Sequence, residues 1–272
     1  MPADGQDAAA RRRTTPPHHE TASIAGSGPA AHVVVPLGQR QEKRSEQVAR
    51  LILHEISSRA LGPGTILPAE ALMCATYGVG RPTLREALRI LEVNGLIAMK
   101  PGPGGGPQVL DPSPAALARM STLHFQALGV RMKDLALARA SIEGTLAALA
   151  AESADAEGLA RLAAGLADAA GGRSQSDVLD AAYDFHTSVM LLAPNPVLRQ
   201  MGLALQDMLN ARLGHVHPPE SLEEVQADHR AIVDAILARD PAAAERAMAE
   251  HWRHTLQVPT LQQAGDLPVE WI

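Results

Sequence analysis

Near the N-terminus, the residues best suited to chemistry are three arginines that recur every four positions. On one face of a predicted helix lie Arg81, Arg85 and Arg89. A separate apolar stripe on the same helix is formed by Leu84, Leu88 and Leu91. A guanidinium can bind phosphate oxygens and donate two hydrogen bonds to guanine. One cationic and one apolar face therefore predict a helix that contacts DNA while its other side packs in a core.

A second candidate group consists of three histidines that are far apart in the sequence: His186, His229 and His251. Each has aliphatic or methionine neighbours one helical turn away, such as Val189 and Met190 beside His186, so each ring is expected to point inward. Inward side chains of different helices meet in a bundle, and three imidazoles could ligate one divalent ion. The alternative is that each histidine is a hydrogen-bonded core residue.

The elements around the arginines predict a helix-turn-helix. One apolar face indicates a first helix over 45–60, a short second helix starts at Ala69, and a glycine-bearing turn precedes the arginines. In this layout the helix after the turn enters the major groove. Gly80, at the N-cap of that helix, and Thr83, in its first turn, are therefore included among the residues expected to contact DNA.

A glycine-rich hairpin is expected after this helix. Two short strands, 96–100 and 108–110, can pair around the Gly-Pro loop 101–107. Lys100 and Gly102 are expected to contact DNA, since such a loop lets backbone amides approach a phosphate or the minor groove. A nucleotide-binding loop is the alternative, but the Lys-Ser/Thr ending of a P-loop and a following helix are both missing.

The rest of the chain has the pattern of successive helices. They are predicted over 114–127, 132–153, 155–170, 175–193, 196–214, 221–239 and 241–257. The expected fold class is mostly α: an N-terminal winged helix-turn-helix with a short β-hairpin wing, followed by an all-α helical-bundle effector domain. The expected domains are a disordered tail over 1–37, the DNA-binding domain over 38–111, a linker and connecting helix over 112–131, an effector-binding and dimerisation domain over 132–260, and a C-terminal tail over 261–272.

Charge and cysteine content agree with this division. The net charge is −6, but Lys and Arg outnumber Asp and Glu nine to seven over 38–111 and are outnumbered twelve to twenty over 112–272. So small a basic excess suggests that DNA affinity depends on two copies binding together. The single cysteine, Cys74, fits a reducing compartment, and no apolar run reaches membrane-spanning length. We therefore expect a cytoplasmic homodimer with no membrane partner.

Four short motifs resemble the signature of the GntR family of bacterial transcription regulators. They are Leu67-Pro68-Ala69-Glu70, Val79-Gly80-Arg81, Leu84-Arg85-Glu86-Ala87-Leu88 and Gly95-Leu96-Ile97. The family usually has Ser or Thr at the position of Gly80, where the hydroxyl caps the recognition helix and contacts phosphate. Glycine also serves at an N-cap, so we expect the helix to form with one phosphate contact fewer.

The helical part resembles the effector domain, called FCD, of the FadR subgroup of this family. The marks are Arg139-Ala140-Ser141-Ile142-Glu143, Phe185-His186, Asn195-Pro196-Val197-Leu198, Asp228-His229-Arg230-Ala231-Ile232 and Met248-Ala249-Glu250-His251. The resemblance implies that His186, His229 and His251 are metal ligands. Metal-binding members have an Asp four residues before the first histidine, where this chain has Ala182. Three nitrogen ligands without that carboxylate favour zinc or nickel over magnesium as the expected cofactor.

An arginine in the first long helix is the leading candidate for effector binding. The resembled family often uses an arginine of this helix to bind a carboxylate, which suits the bidentate guanidinium of Arg139. An ion pair with Glu143, four residues later, is an equally open alternative. Arg212 and Asn195 are further candidates for effector contact, although Asn195 is also placed to cap the helix that begins at Pro196.

The expected function is a ligand-responsive, dimeric repressor of transcription. An organic acid or an acyl thioester would bind the helical domain and change the affinity of the protein for a double-stranded DNA operator. Two alternatives stay open: the metal ion is itself the signal, or the protein is a metal-dependent hydrolase. We do not expect an enzyme, because no His-Glu-x-x-His motif and no Ser or Cys nucleophile motif accompanies the histidines.

Overall fold

The structure is a computed structural model that describes residues 42–170, 175–213 and 222–270. The expected disordered tail over 1–37 lies outside the described residues. None of the helices in the described ranges is long and apolar enough to cross a membrane.

The first described domain contains three helices and a two-stranded hairpin. They are α1 (Arg44–Ser58), α2 (Glu70–Tyr77), α3 (Arg81–Val93), β1 (Ile97–Lys100) and β2 (Gly106–Val109). The strands are antiparallel, with Ile97 opposite Val109 and Lys100 opposite Gly106. The predicted helix-turn-helix and its wing are confirmed, and so is the winged-helix part of the expected fold class.

The apolar stripe of α3 forms the centre of this domain. Leu84, Leu88 and Leu91 are almost fully buried and pack with Val48 and Ile52 of α1. The arginines of α3 are exposed, as expected for a helix with an apolar and a cationic face. Packing of α3 on α1 therefore determines which face of the recognition helix is presented to solvent.

Eight helices follow the hairpin in the described ranges. They are α4 (Pro114–Ala127), α5 (Met132–Ser153), α6 (Ala156–Ala170), α7 (Gln175–Leu192), α8 (Pro196–Leu213), α9 (Leu222–Leu237), α10 (Pro241–Gln257) and α11 (Pro259–Gly265). The bounds of α4 to α10 agree with the sequence-based prediction to within two residues. The expected all-α bundle is confirmed.

Capping residues explain why several of these helices begin where they do. Ser113 accepts a hydrogen bond from the Ala116 amide at the start of α4, and Asp240 accepts one from the Ala243 amide at the start of α10. A proline in the first turn follows each cap, where its missing N–H costs nothing. The Ser-Pro and Asp-Pro pairs thus mark helix starts in both sequence and structure.

Helix α5 packs against α7, α8, α9 and α10. One part of its surface is lined by small buried residues, Ala147, Ala150 and Ala151, which allow close packing with apolar side chains such as Ile232 and Met248. The surface one to two turns before this alanine patch carries Arg139 and Glu143, both buried. The packing of α5 therefore carries two charged side chains into the interior of the bundle.

The C-terminal segment departs from the prediction of a tail over 261–272. Residues 259–265 form α11, Pro268 pairs with Arg131 in an isolated β-bridge, and the Met132 amide donates to the Leu267 carbonyl at 3.0 Å. Val269 is buried against the start of α5. Such a short segment has too few apolar residues to show a period, so its docking depends on the groove that it meets.

Two glycines with the same backbone conformation give a test of packing around α4. Gly95 and Gly129 both have φ near +69°. A β-carbon at Gly95 would lie 2.7 Å from the β-carbon of Ala116, whereas one at Gly129 would meet nothing within 4 Å. We expect Gly129→Ala to lower the free energy of unfolding by about 1–2 kcal/mol, because alanine is strained at a positive φ. Gly95→Ala should lower the free energy of unfolding by about 1–3 kcal/mol more than Gly129→Ala does, because packed atoms of α4 must move.

Urea denaturation of both variants measures the difference. An equal loss in the two would show that α4 yields to the extra methyl group at no cost. Combining Gly95→Ala with Ala116→Gly should recover part of the additional loss, since the clashing atom is then absent.

Candidate functional site

The exposed face of α3 is the candidate DNA-binding surface. Arg81, Arg85 and Arg89 are exposed along this face, and Thr83 is half-buried in the first turn. Gly80 is the N-cap, with extended backbone and no side-chain cap. The helix therefore starts without a hydroxyl that could bind phosphate, and the Arg81 and Thr83 amides of its first turn have no side-chain cap.

An ion pair joins the recognition helix to the helix before it. Arg85 Nε lies 3.1 Å and 3.4 Å from the two carboxylate oxygens of Glu70, the first residue of α2. Only the Nε side of the guanidinium is used in this contact, so both terminal nitrogens stay available for guanine or phosphate. Sequence reasoning did not assign a role to Glu70, since nothing in its spacing from Arg85 indicates that the two side chains meet.

The wing presents Lys100 and Gly102 to solvent, as expected of residues that contact DNA. Gly102 has φ of +93°, and its carbonyl accepts a hydrogen bond from the Gly105 amide. A β-carbon at Gly105 would lie 2.2 Å from the Lys100 carbonyl oxygen. The loop therefore needs glycine to fold back so tightly.

The three candidate histidines converge in the interior of the helical domain. His186 comes from α7, His229 from α9 and His251 from α10, and each is at most 4% exposed. One ligand atom from each ring lies within 4.8 Å of the other two. The Phe185 ring stacks on His229 with 3.9 Å between centroids and closes one side of the cluster. The sequence-based expectation that the three rings meet is thus fulfilled in the geometry.

A carboxylate holds the His186 ring from the side away from the cluster. His186 Nδ1 lies 2.7 Å from Glu143 Oε2, and His186 Nε2 lies 3.2 Å from His251 Nε2. Burial lowers the pKa of His186 and Glu143 raises it in part, with a net value of about 4. The imidazole is therefore neutral at pH 7, which is the form that binds metal ions.

His251 faces a second carboxylate. Its Nδ1 atom lies 3.6 Å from Asp228 Oδ2, and the same oxygen lies 2.8 Å from Nδ1 of the part-exposed His254. Burial raises the pKa of Asp228, and the contacts with His251 and His254 lower it by more. Asp228 therefore carries a negative charge beside the cluster at neutral pH.

The second buried group is centred on Arg139, which is 7% exposed. Its Nε donates to Glu143 Oε1 at 2.5 Å, a terminal nitrogen donates to Gln206 Oε1 at 2.6 Å, and the guanidinium carbon lies 4.9 Å from the centre of the Trp252 ring. Burial raises the pKa of Glu143, but Arg139 and His186 lower it by more, so that pKa lies below its usual range. The ion pair that was one interpretation of Arg139 is present, and it is buried.

The other two effector candidates lie elsewhere. Asn195 caps α8, since its Oδ1 accepts from the Val197 and Leu198 amides at 3.1 Å. Arg212 is exposed near the end of α8, with a terminal nitrogen 3.5 Å from a carboxylate oxygen of Glu270. The structure gives both residues surface or capping contacts and does not bring them to the Arg139 group.

One pair of rings in the cluster has the spacing of two metal ligands, and the candidate ligand atoms of all three rings lie within 4.8 Å of one another. Two nitrogens bound at about 2.0–2.1 Å in a tetrahedral site are about 3.3 Å apart, which matches the 3.2 Å between the Nε2 atoms of His186 and His251. Glu143 hydrogen-bonds the far nitrogen of His186, as outer carboxylates usually do for histidines that bind metal, whereas Asp228 lies 3.6 Å from His251 Nδ1 without a hydrogen bond. Neutral nitrogen donors of this kind suit zinc or nickel.

Two family descriptions match consecutive parts of the chain. Residues 44–105 match the family of bacterial regulatory proteins described as the gntR family, and residues 134–254 match the FCD domain. The first match covers the helix-turn-helix and most of the wing. The second covers α5 to α10 and includes all three histidines of the cluster.

The chain is also similar to curated repressors and to a solved regulator. The HTH-type transcriptional repressor NanR of Cronobacter sakazakii is 31% identical over 227 residues, which are 79% of this chain and 86% of that protein. The repressor NanR of Escherichia coli K12 is 31% identical over 234 residues, with 78% and 82% covered. Streptococcus agalactiae GntR has the same fold, with a TM-score of 0.59, 24% identity, and 78% and 98% covered.

The geometry of α3 predicts different effects for its arginines and for the wing. Replacing Arg81 or Arg85 by Ala should cost about 1–3 kcal/mol of specific DNA binding if the side chain contacts a base. Lys100→Ala should weaken binding to all sequences alike and reduce the salt slope by about one, because a wing lysine contacts phosphate. Fluorescence anisotropy at several salt concentrations, on a duplex that the wild type selects from a random pool, measures both effects.

Arg161→Ala is the matched control, since Arg161 is an exposed arginine of α6 that pairs with Glu157. It should bind the selected duplex like the wild type. Wild-type affinity in both the Arg81 and the Arg85 variants would contradict the assignment of α3 as the recognition helix.

Proposed function

Because the chain belongs to the GntR family of bacterial regulatory proteins and carries an FCD domain, we propose that it is a dimeric, cytoplasmic repressor that senses an anionic small molecule. As a member of this family it is a ligand-responsive, DNA-binding regulator of transcription. The finer proposal is that the helical domain binds an organic acid or an acyl thioester together with a divalent metal ion. The observation that carries it is the meeting of three histidines and one arginine inside a single bundle.

Arg139, together with unpartnered polar atoms on two helices that pack against α5, supports an anionic, polar effector. A guanidinium is well suited to a carboxylate, and the Nη1 atom of Arg139 makes no hydrogen bond within the described part of the chain. Among the described residues, Asn210 Nδ2 and Thr255 Oγ1 are buried without a hydrogen-bond partner. They lie one turn after Gln206 and His251, respectively. Buried polar atoms require partners, and a polar ligand would supply them.

The three histidines would hold the ion, and the metal-ligand group found among the described residues contains no carboxylate. Ala182, four residues before His186 on α7, supplies no carboxylate. The open positions would therefore be taken by water or by a carboxylate of the effector. When bound, the ion supplies positive charge that attracts such an oxygen. Glu143 would orient His186 from behind through its hydrogen bond to Nδ1.

The response to the effector depends on a difference in affinity. Two winged helices held in a dimer would bind two half-sites of a near-palindrome, since a two-fold protein matches a two-fold DNA site. An effector that binds the released arrangement more tightly lowers DNA affinity by that difference and no more. If the ion alone changes DNA affinity, the ion itself is the signal, which is the second candidate function.

Native mass spectrometry of the purified protein, combined with metal analysis, tests this proposal directly. We expect a dimer that carries one ion per chain. Addition of candidate organic acids should then change the affinity of the metal-loaded protein for the selected duplex. A monomer at the concentrations used for DNA binding, or an unchanged affinity with every acid, would contradict the dimeric or the sensing part of the proposal.

The ion itself is tested by replacing its ligands. His186→Asn, His229→Asn and His251→Asn should each lose most of the bound metal, because ligands of one ion act jointly. The measurement is metal stoichiometry in protein prepared without a polyhistidine tag, with circular dichroism to check the fold. His124→Asn is the matched control, since His124 is exposed on α4, and it should keep the full metal content.

Ala182→Asp gives a gain-of-function test at the same site. The introduced carboxylate would share a helix face with His186, and a fourth ligand should tighten zinc or nickel binding. Metal-free wild-type protein after incubation with zinc or nickel would contradict the metal part of the proposal. The cavity would then be a metal-free pocket in which Arg139 recognises an anionic effector.

A further inference from the structure

We propose that Glu143 is a positioning residue that serves both parts of the sensing site. It keeps His186 in the form that binds a metal ion, and it holds Arg139 beside that histidine for the effector. This inference rests on the proposed function, in which His186 binds an ion and Arg139 binds an anion. Glu143 does not ligate the ion, since its carboxylate contacts His186 through Nδ1, while His186 Nε2 faces the other histidines.

Both carboxylate oxygens of Glu143 are used. Oε1 accepts from Arg139 Nε at 2.5 Å, and Oε2 accepts from His186 Nδ1 at 2.7 Å and from Trp252 Nε1 at 2.9 Å. The side chain is only 1% exposed. Compensating the charge of Arg139 would require only one of these oxygens. The second oxygen, Oε2, is therefore available to hold His186 through its Nδ1 atom.

The contact with Oε2 determines where the His186 proton lies. An ionised carboxylate only accepts hydrogen bonds, so His186 must carry its proton on Nδ1. The lone pair is then on Nε2, which points at His251 Nε2, 3.2 Å away. Hydrogen bonding to a carboxylate also raises the basicity of an imidazole ligand. Glu143 therefore gives His186 both the tautomer and the electron density that a metal ligand needs.

The contact with Oε1 places Arg139. The guanidinium is held by Glu143 on its Nε side and by Gln206 at a terminal nitrogen, and its flat face lies near the Trp252 ring. An arginine fixed at three points loses little conformational freedom when an anion binds. Because one carboxylate orients both side chains, the anion-binding group and the metal-binding group cannot move independently.

Replacing Glu143 by Gln tests the role at His186. The amide has one acceptor oxygen and one NH₂ donor, so it cannot accept from both Arg139 and His186 in the observed arrangement. We expect Glu143→Gln in the full-length protein to bind zinc about 10–100-fold more weakly than the wild type, as for other outer partners of metal-bound histidines. Competition with a chromogenic chelator measures the affinity with zinc alone.

Two matched variants alter the same buried network but leave the Glu143 to His186 contact in place. Gln206→Met removes the other partner of Arg139, and Trp252→Phe removes the indole N–H from Oε2. Both should lower zinc affinity by much less than Glu143→Gln, because the hydrogen bond between Glu143 Oε2 and His186 Nδ1 remains. Equal zinc affinity in folded Glu143→Gln and wild type would overturn the proposal, and so would a loss in Gln206→Met as large as that in Glu143→Gln.

A measurement on the wild type decides the matter even if Glu143→Gln does not fold. In metal-free, ¹⁵N-histidine-labelled protein, the signal that disappears in His186→Asn should show the tautomer with the proton on Nδ1. A proton on Nε2 would overturn the proposal. Because this experiment needs no metal, its outcome is separate from that of the proposed function, which fails if the wild type binds neither zinc nor nickel.

Discussion

The helical domain is organised around a carboxylate, that of Glu143, which is almost completely buried. An ionised side chain in such a place is tolerated only when an opposite charge and hydrogen-bond donors compensate for its lost hydration. For Glu143 these come from α5 itself, from His186 on α7 and from Trp252 on α10. The compensation fails if any of these helices shifts by a few ångströms. The requirement therefore constrains how three helices pack, in addition to the apolar contacts that hold them together.

Much of the architecture follows from local sequence. The starts of α4 and α10 were predicted from sequence, and Ser113 and Asp240, each followed by proline, cap these helices in the structure. The leucines of α3 predicted which side of that helix is buried. The convergence of the histidines was also predictable, because each lies on the apolar face of its own helix. Such patterns show on which face of its helix a side chain lies. Because the apolar faces of one bundle all point to the same interior, side chains on these faces meet there.

Partners across the bundle could not be predicted in the same way. Glu143 contacts His186, 43 residues away in the sequence, and Trp252, 109 residues away. Arg139 contacts Gln206, which is 67 residues away. Helical periodicity gives the direction of a side chain and carries no information on the offset between two helices. The i,i+4 relation of Arg139 and Glu143 was visible, but its burial was not. The contact of Arg212 with Glu270 of the C-terminal segment, near the end of α8, was unpredictable for the same reason.

Helix α8 connects two features that have been described separately. Gln206 on this helix contacts Arg139, while Leu205, Met208 and Leu209 pack in one cluster with Ala118 of α4. Helix α4 also carries Ala116, whose β-carbon would lie 2.7 Å from a β-carbon added at Gly95, just after the recognition helix. A tilt of α8 would therefore displace α4, and through α4 the segment that follows α3. Interiors packed as closely as this transmit strain. The stiffness of the packing between these helices therefore sets how much of a displacement at Arg139 reaches the exposed face of α3.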